Sequence, residues 1–304
     1  MSSAGTDTAT ATVDVARLEP CWESPPLRAL CFPFRVRTNI AGIGGFLDEM
    51  LAPLAAEATA AATATVTLVD RGGDHPQRYA TYVDDEVVDE AAEPRNLVAT
   101  LVWIVNRRAV VGTCGHLILH AGAVQYGDRA VLVVGEMGAG KSTLVTGLVR
   151  RGADYLTDEA VAVDTTAGLV TPYPKAVGLD EGSWPLFADL RPDVPAVLEP
   201  ERHVSWQVAP ERIRPGCVGT ACSPALVVLP TYRANAPAVT VRAVTPRDTV
   251  LAFADQSFNF AALGKAGFDT AVWLARRCPA VGIVHSDLDA ACAAVLEALE
   301  ALDR

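Results

Sequence analysis

Residues Gly135-Glu136-Met137-Gly138-Ala139-Gly140-Lys141-Ser142-Thr143 fit the spacing G-x-x-x-x-G-K-[ST] without a mismatch. The chemistry served by that spacing is the holding of a polyphosphate. Successive backbone N–H groups of such a loop turn inward around an anion, and side chains at Gly138 or Gly140 would crowd out a phosphate approaching the main chain. Lys141 would reach the β- and γ-phosphates, and the Ser142 hydroxyl would ligate Mg²⁺. Three other features could complete a reacting site. Asp158 and Glu159 follow the loop at the distance from which a metal-binding acidic pair returns to it, His120 lies one strand upstream, and Lys175 offers a second cation. One carboxylate could hold Mg²⁺ with Ser142 while the other accepts a hydrogen bond from an acceptor hydroxyl. Asp158 is placed at the hydroxyl and Glu159 at the metal, with the reverse assignment open.

Specific elements must deliver these groups. Val131 to Val134 is a β-branched run that reads as a buried strand, and Ser142 to Leu148 reads as the first turns of a helix whose N-terminus favours an anion. His116 to Val124 reads as a strand that the Tyr126–Arg129 turn folds back onto the loop strand as a hairpin. Tyr155 to Val163 reads as one strand with the two carboxylates in its middle. Adjacent strand residues point to opposite faces, so only a bulge or a strand end there would let both carboxylates reach the phosphates. Lys175 falls in a Pro- and Gly-punctuated passage that could close over the site, and Leu190 to Pro200 reads as surface.

Upstream, Arg28 to Arg37 predicts a strand, Phe46 to Ala62 a helix kinked at Pro53, and Thr65 to Val69 a strand paired with Arg78 to Val83. Asn96 to Val111 predicts a buried helix with Leu97, Leu101, Ile104 and Val105 on its apolar stripe. After the loop helix, strands are expected at Val204–Val208, Ala225–Leu229, Val239–Val244 and Val281–Val284. Helices are expected from Thr245-Pro246 towards Phe253, from Gly267 to Arg277 and from Asp287 to Leu302. The domain reading is a Ser/Thr/Ala-rich, disordered start over residues 1–15, an accessory α+β region over 16–111 and a catalytic region over 112–304.

The 304 residues, 50% of them hydrophobic, are ample for a large globular core. A net charge of −11 disfavours a nucleic-acid backbone as partner, because such binding relies on lysine and arginine, but it leaves nucleotides open. No apolar run approaches the ~20 residues of a membrane span, and no secretion signal is visible at the start, so a cytoplasmic protein is expected with no membrane partner. The seven cysteines have no metal-ligand spacing and read as free thiols.

At His120-Ala121-Gly122-Ala123-Val124, the Gly135–Thr143 loop and Leu156-Thr157-Asp158-Glu159, the chain resembles the catalytic domain of HPr kinase/phosphorylase and its relatives. That family shares its nucleotide-binding core with phosphoenolpyruvate carboxykinase. Tyr173-Pro174-Lys175, Glu181-Gly182-Ser183-Trp184, Val208-Ala209-Pro210-Glu211 and Arg214-Pro215-Gly216 look more like the HPr-kinase-like proteins of bacterial peptide natural-product pathways, lasso-peptide kinases among them. The resemblance covers roughly residues 112–300. It implies an α/β phosphate-loop kinase core with a mixed sheet and flanking helices, with ATP on Gly135–Thr143. It further implies Mg²⁺ at Ser142 and the acidic pair, Asp158 as the base-like residue and His120 near the transferred phosphate. The Glu-x-Arg-Gly-type signature of true HPr kinases is absent, and the Lys175–Trp184 passage stands in its place.

Three functions fit these residues: an ATP- and Mg²⁺-dependent kinase acting on a serine of a precursor peptide, a kinase acting on a small-molecule hydroxyl, and an ATP-binding regulator without transfer. A homo-oligomer is compatible with each.

Overall fold

The computed structural model describes residues 18–73, 75–198 and 205–303. The expected disorder of residues 1–15 and the first residue of the strand expected over Val204–Val208 lie outside them. A first sheet is built from β1 (Trp22–Glu23), β2 (Leu27–Ala29), β3 (Phe32–Thr38), β4 (Ala64–Asp70), β5 (Tyr79–Val83) and β6 (Glu86–Ala91). Its order is β1-β3-β4-β5-β6, with β2 also on β3. Alternation along β3 turns Phe32, Phe34 and Val36 inward, against helices α1 (Gly44–Leu51) and α2 (Leu97–Gly112).

Two expectations change here. The strand foreseen over Arg28–Arg37 is a hairpin of β2 and β3, because Leu30 adopts a φ of 52° and reverses the chain. The helix foreseen over Phe46–Ala62 ends at Leu51 and tightens into a 3₁₀ turn, Ala52–Leu54, since Pro53 supplies no N–H for a continuing helix. Leu47, Met50, Leu51 and Leu54 are nonetheless all buried on one side.

The second sheet starts with β7 (His116–Tyr126) and β8 (Arg129–Val134), followed by helix α3 (Lys141–Arg150). Next come β9 (Asp154–Thr157), β10 (Ala160–Asp164) and β11 (Val170–Thr171), then a two-stranded ribbon of β12 (Val177–Asp180) and β13 (Ser205–Val208). Helix α4 (Pro210–Ile213), β14 (Ser223–Tyr232), β15 (Val239–Val244), α5 (Pro246–Asp255), α6 (Phe260–Leu263), α7 (Lys265–Arg277), β16 (Ala280–His285) and α8 (Leu288–Glu300) complete the chain. The order is β11-β10-β7-β8-β14-β16-β15, with β9 also on β7. Strands β8, β14 and β16 run parallel, whereas β7 and β15 are antiparallel to their neighbours, so the sheet is mixed.

Why β8 reads as an unbroken apolar run is now plain. Val131 and Val133 face a core with Leu144, Leu148 and Val295 of α3 and α8, while Leu132 and Val134 face one with Phe253 and Leu274 of α5 and α7. A strand covered on both faces has no solvent side to keep polar. The core of the first sheet reaches Ile118, Ala160, Ala162, Tyr173 and Ala176, so the two sheets share packed residues. Leu190 and Leu198, foreseen at the surface, are 3% and 4% exposed. They close over these cores as apolar anchors of a proline-rich segment.

The single strand foreseen over Tyr155–Val163 is two. Both β9 and β10 pair with the same edge of β7, and Asp158 and Glu159 form the interruption between them. Thr157 Oγ1 accepts hydrogen bonds from the N–H groups of Glu159 and Ala160, which stabilises the break. All seven cysteines are free.

Candidate functional site

The glycine loop leaves β8 at Val134 and enters α3 at Lys141. Gly138 and Gly140 take φ values of 79° and 87°, a left-handed backbone that other residues rarely adopt. Gly140 precedes the helix without any side-chain cap, so no side chain competes for the N–H groups of the first turn. Lys141 folds back along the loop. Its Nζ donates to the carbonyl oxygens of Gly135 (2.9 Å) and Glu136 (3.0 Å). An ammonium has three protons, so two close the loop and the third remains for an incoming oxygen. Burial lowers the Lys141 pKa, and the carboxylates of Glu159 and Asp158 act in the opposite direction.

Asp158 is 3% exposed and sits where the interrupted strand turns towards α3. Its Oδ2 accepts from Ser142 Oγ at 3.1 Å and from the Gly178 N–H at 3.0 Å. Its Oδ1 accepts from Tyr155 Oη at 2.9 Å and lies 2.7 Å from Lys175 Nζ. Four donors occupy about as many lone-pair sites as a carboxylate offers. Tyr155 is fully buried, and that burial, followed by the neighbouring Asp158, pushes its pKa well up, which keeps it a donor.

His120 owes its place to the register of β7. Ala121 pairs with Val134, the last residue before the loop, so His120 is the first position past the hairpin. Beyond Val134 the edge of β7 is taken over by the segment after α5: the His120 N–H donates to Gln256 O at 2.6 Å, and Leu119 bridges to Ser257. His120 Nε2 is 4.0 Å from Glu159 Oε1. Burial lowers the pKa of His120, as does Lys141, while Glu159 pulls it the other way. Neutral imidazole is the favoured form near pH 7.

The fold thus brings Lys141, Ser142, Asp158, Lys175, Glu159 and His120 together around the start of α3. The two carboxylates differ in role. Asp158 is buried and bonded to Ser142, whereas Glu159 keeps 37% side-chain exposure and stands beside His120. Lys175 was read as a loop cation that could close over the site; it is instead a buried partner of Asp158, and its Nζ also donates to Ala176 O at 3.0 Å. Met137 is 89% exposed at the loop tip. Thr143 Oγ1 lies 2.7 Å from Ser183 Oγ, which ties the 3₁₀ segment Glu181–Leu186 to the head of α3.

Sequence reasoning gave no role in the site to Tyr155, Gly178 or Ser183. The signal for Tyr155 was available in its position three residues before Asp158, but a tyrosine in an apolar strand reads as core. Gly178 acts through its backbone, which no side-chain pattern announces.

Among the described residues, no group of three or more His, Cys, Asp and Glu side chains could hold a metal, and no helix is long and apolar enough to cross a membrane. No protein-family model matches the chain, and no curated protein matches it. Among solved structures it is similar to the Hpr(Ser) kinase/phosphatase from Coxiella burnetii, at 14% identity over 55% of this chain and 83% of that one, with a TM-score of 0.27. Nothing about the chemistry of this chain follows from a similarity of that extent.

Proposed function

We propose that the chain is an ATP- and Mg²⁺-dependent kinase that transfers the γ-phosphate to a hydroxyl, the acceptor being a serine of a precursor peptide. The observation that carries this reading is the 3.1 Å hydrogen bond from Ser142 Oγ to Asp158 Oδ2. It joins the end of the glycine loop to a carboxylate from a later strand.

The residues fit both groups. For a triphosphate there is a loop with two left-handed glycines, an uncapped helix start and a lysine with a proton to give. For Mg²⁺ there are a hydroxyl and a carboxylate already adjacent, and Mg²⁺ is commonly held by one or two carboxylates together with phosphate oxygens and water. Bound Mg·ATP supplies the transferable phosphoryl group and neutralises part of its charge. Gly135 to Thr143 would cradle the phosphates, Lys141 would meet their developing charge, and Ser142 with Asp158 would hold the metal.

The burial of Asp158 against Ser142 favours Asp158 at the metal and Glu159 at the hydroxyl. Asp158 is buried and meets the loop only through the Ser142 hydroxyl, which a metal would displace from it, whereas Glu159 is the exposed carboxylate beside His120. Glu159 would therefore accept the proton of the acceptor hydroxyl as the hydroxyl oxygen bonds to the γ-phosphorus and the bond to the bridging oxygen breaks, releasing ADP, and neutral His120 would hold that hydroxyl in line. Lys175, 2.7 Å from Asp158 Oδ1, holds Asp158 in place.

The acceptor side is open to a peptide. His120 and Glu159 keep 24% and 37% side-chain exposure, which an extended segment could approach from outside. The test is incubation with Mg·ATP and candidate precursor peptides. ADP release with one phosphate gained on serine is expected; a phosphorylated free metabolite would move the assignment to a small-molecule kinase. Nucleotide binding without any acceptor-dependent turnover would leave an ATP-binding regulator.

A further inference from the structure

The proposed triphosphate site leaves the base of the nucleotide without a partner, and the sheet supplies one. Strands β8, β14 and β16 are parallel and end on the same edge, so Tyr232 and His285, the last residues of β14 and β16, lie on the loop side of the molecule. Ligands of open α/β sheets bind outside the carboxyl ends of such strands. The acidic pair and His120 occupy the β7–β10 side of the loop; Tyr232 borders its other side. A Cβ at Gly140 would stand 3.9 Å from Tyr232 Cβ, and one at Gly135 would stand 3.7 Å from Pro230 O.

Two features of this corner have no use in the fold alone. Tyr232 is a large aromatic residue left 54% exposed at the end of a strand whose middle, Leu226 to Val228, is buried. Behind it His285 is 4% exposed, yet neither ring nitrogen has a hydrogen-bond partner of good geometry, a costly state for a polar side chain at that depth. Burial lowers the pKa of His285, and Asp287 acts in the opposite direction. The two rings meet edge to face, with centroids 5.8 Å apart at 65°. That arrangement fixes the plane of Tyr232 while leaving a face of its ring to solvent.

We infer that Tyr232 is the stacking platform for the base of the bound nucleoside triphosphate, with His285 packed behind it as the residue that sets its ring plane. The inference rests on the reading of Gly135–Thr143 as a triphosphate site, and the test separates the two. Binding of Mg·ATP and of Mg·tripolyphosphate, which has no base, is measured by titration calorimetry on the full chain and on Tyr232→Ala and Tyr232→Phe. A base–aromatic stack predicts that Tyr232→Ala weakens ATP roughly ten- to hundred-fold. Tyr232→Phe, which keeps the ring, retains ATP affinity, and all three proteins bind tripolyphosphate alike. Unchanged ATP affinity in Tyr232→Ala, with tripolyphosphate still bound, would overturn the platform and leave the loop standing. Loss of both ligands in that variant would make Tyr232 part of the architecture of the loop and overturn the platform equally. If the unaltered chain binds neither ligand, the loop reading falls and takes the platform with it.

Discussion

Lys175 Nζ stands 2.7 Å from Asp158 Oδ1, and the two side chains keep only 8% and 2% of their exposure. The pair bridges the interrupted strand and the ribbon of β12 and β13, with Gly178 donating to the same carboxylate from the ribbon. Breaking a buried ion pair from one side leaves an uncompensated charge, which typically costs about 3–5 kcal/mol. Lys175→Met should lower stability to denaturant by that order. Adding Asp158→Asn to the same chain should cost less than the sum of the two single changes. Additive losses would mean that the two groups are not coupled.

Asp158→Asn and Lys141→Ala should separate chemistry from binding. The first is expected to reduce turnover by orders of magnitude while nucleotide still binds, because the loop and its lysine are intact. The second removes charge-assisted hydrogen bonds to phosphate of about 1.5–3 kcal/mol, so affinity should fall roughly 10- to 150-fold. Equal loss of nucleotide affinity in both would contradict the division of roles.

Gly122 is a point of close approach. A Cβ there would come within 2.6 Å of Val145 Cγ2 on α3 and 3.7 Å of Asp158 Cα. Gly122→Ala should destabilise by about 1–3 kcal/mol through overpacking and should depress turnover further by moving α3 away from the strand break. The double variant with Val145→Ala should recover much of both, as followed by denaturation and ADP release.

Burial holds the pKa values of His120 and His285 below the usual histidine range. Between the lowered folded values and about 6.5, the unfolded chain binds protons that the folded chain does not. Stability is therefore complete above about 6.5 and falls as the pH drops below it. The thermal midpoint should decline from pH 7.5 to 5.5, and His285→Asn should flatten that slope. An unaltered slope would show that His285 does not contribute.

Much of the site could be read from the chain because its parts are local. The glycine spacing, the strand before it and the helix after it are set within one stretch, and the Tyr126–Arg129 turn announces the hairpin that brings His120 alongside. What was missed depends on contacts distant in sequence or on backbone geometry. The break at Asp158–Glu159 hides in a run of strand-forming residues and shows only when both halves bond to β7. The burial of Lys175 follows from a partner 17 positions away, which nothing near it in the sequence announces. Strand β6 escaped because Glu86, Asp89 and Glu90 give it the composition of a loop, although β5 holds it as an edge. Leu30 carried no mark of the reversal it makes.

One strand serves as the ruler for the whole centre. His120 belongs to β7, the phosphate loop departs from β8 beside it, and the acidic pair fills the gap between two segments aligned on its opposite edge. A slip of a single residue in any of these alignments would invert the facing of every side chain downstream. Insertions or deletions between residues 116 and 134 should thus be far less tolerated than point changes of comparable size, and the turn at 126–129 cannot serve as a place where length drifts freely.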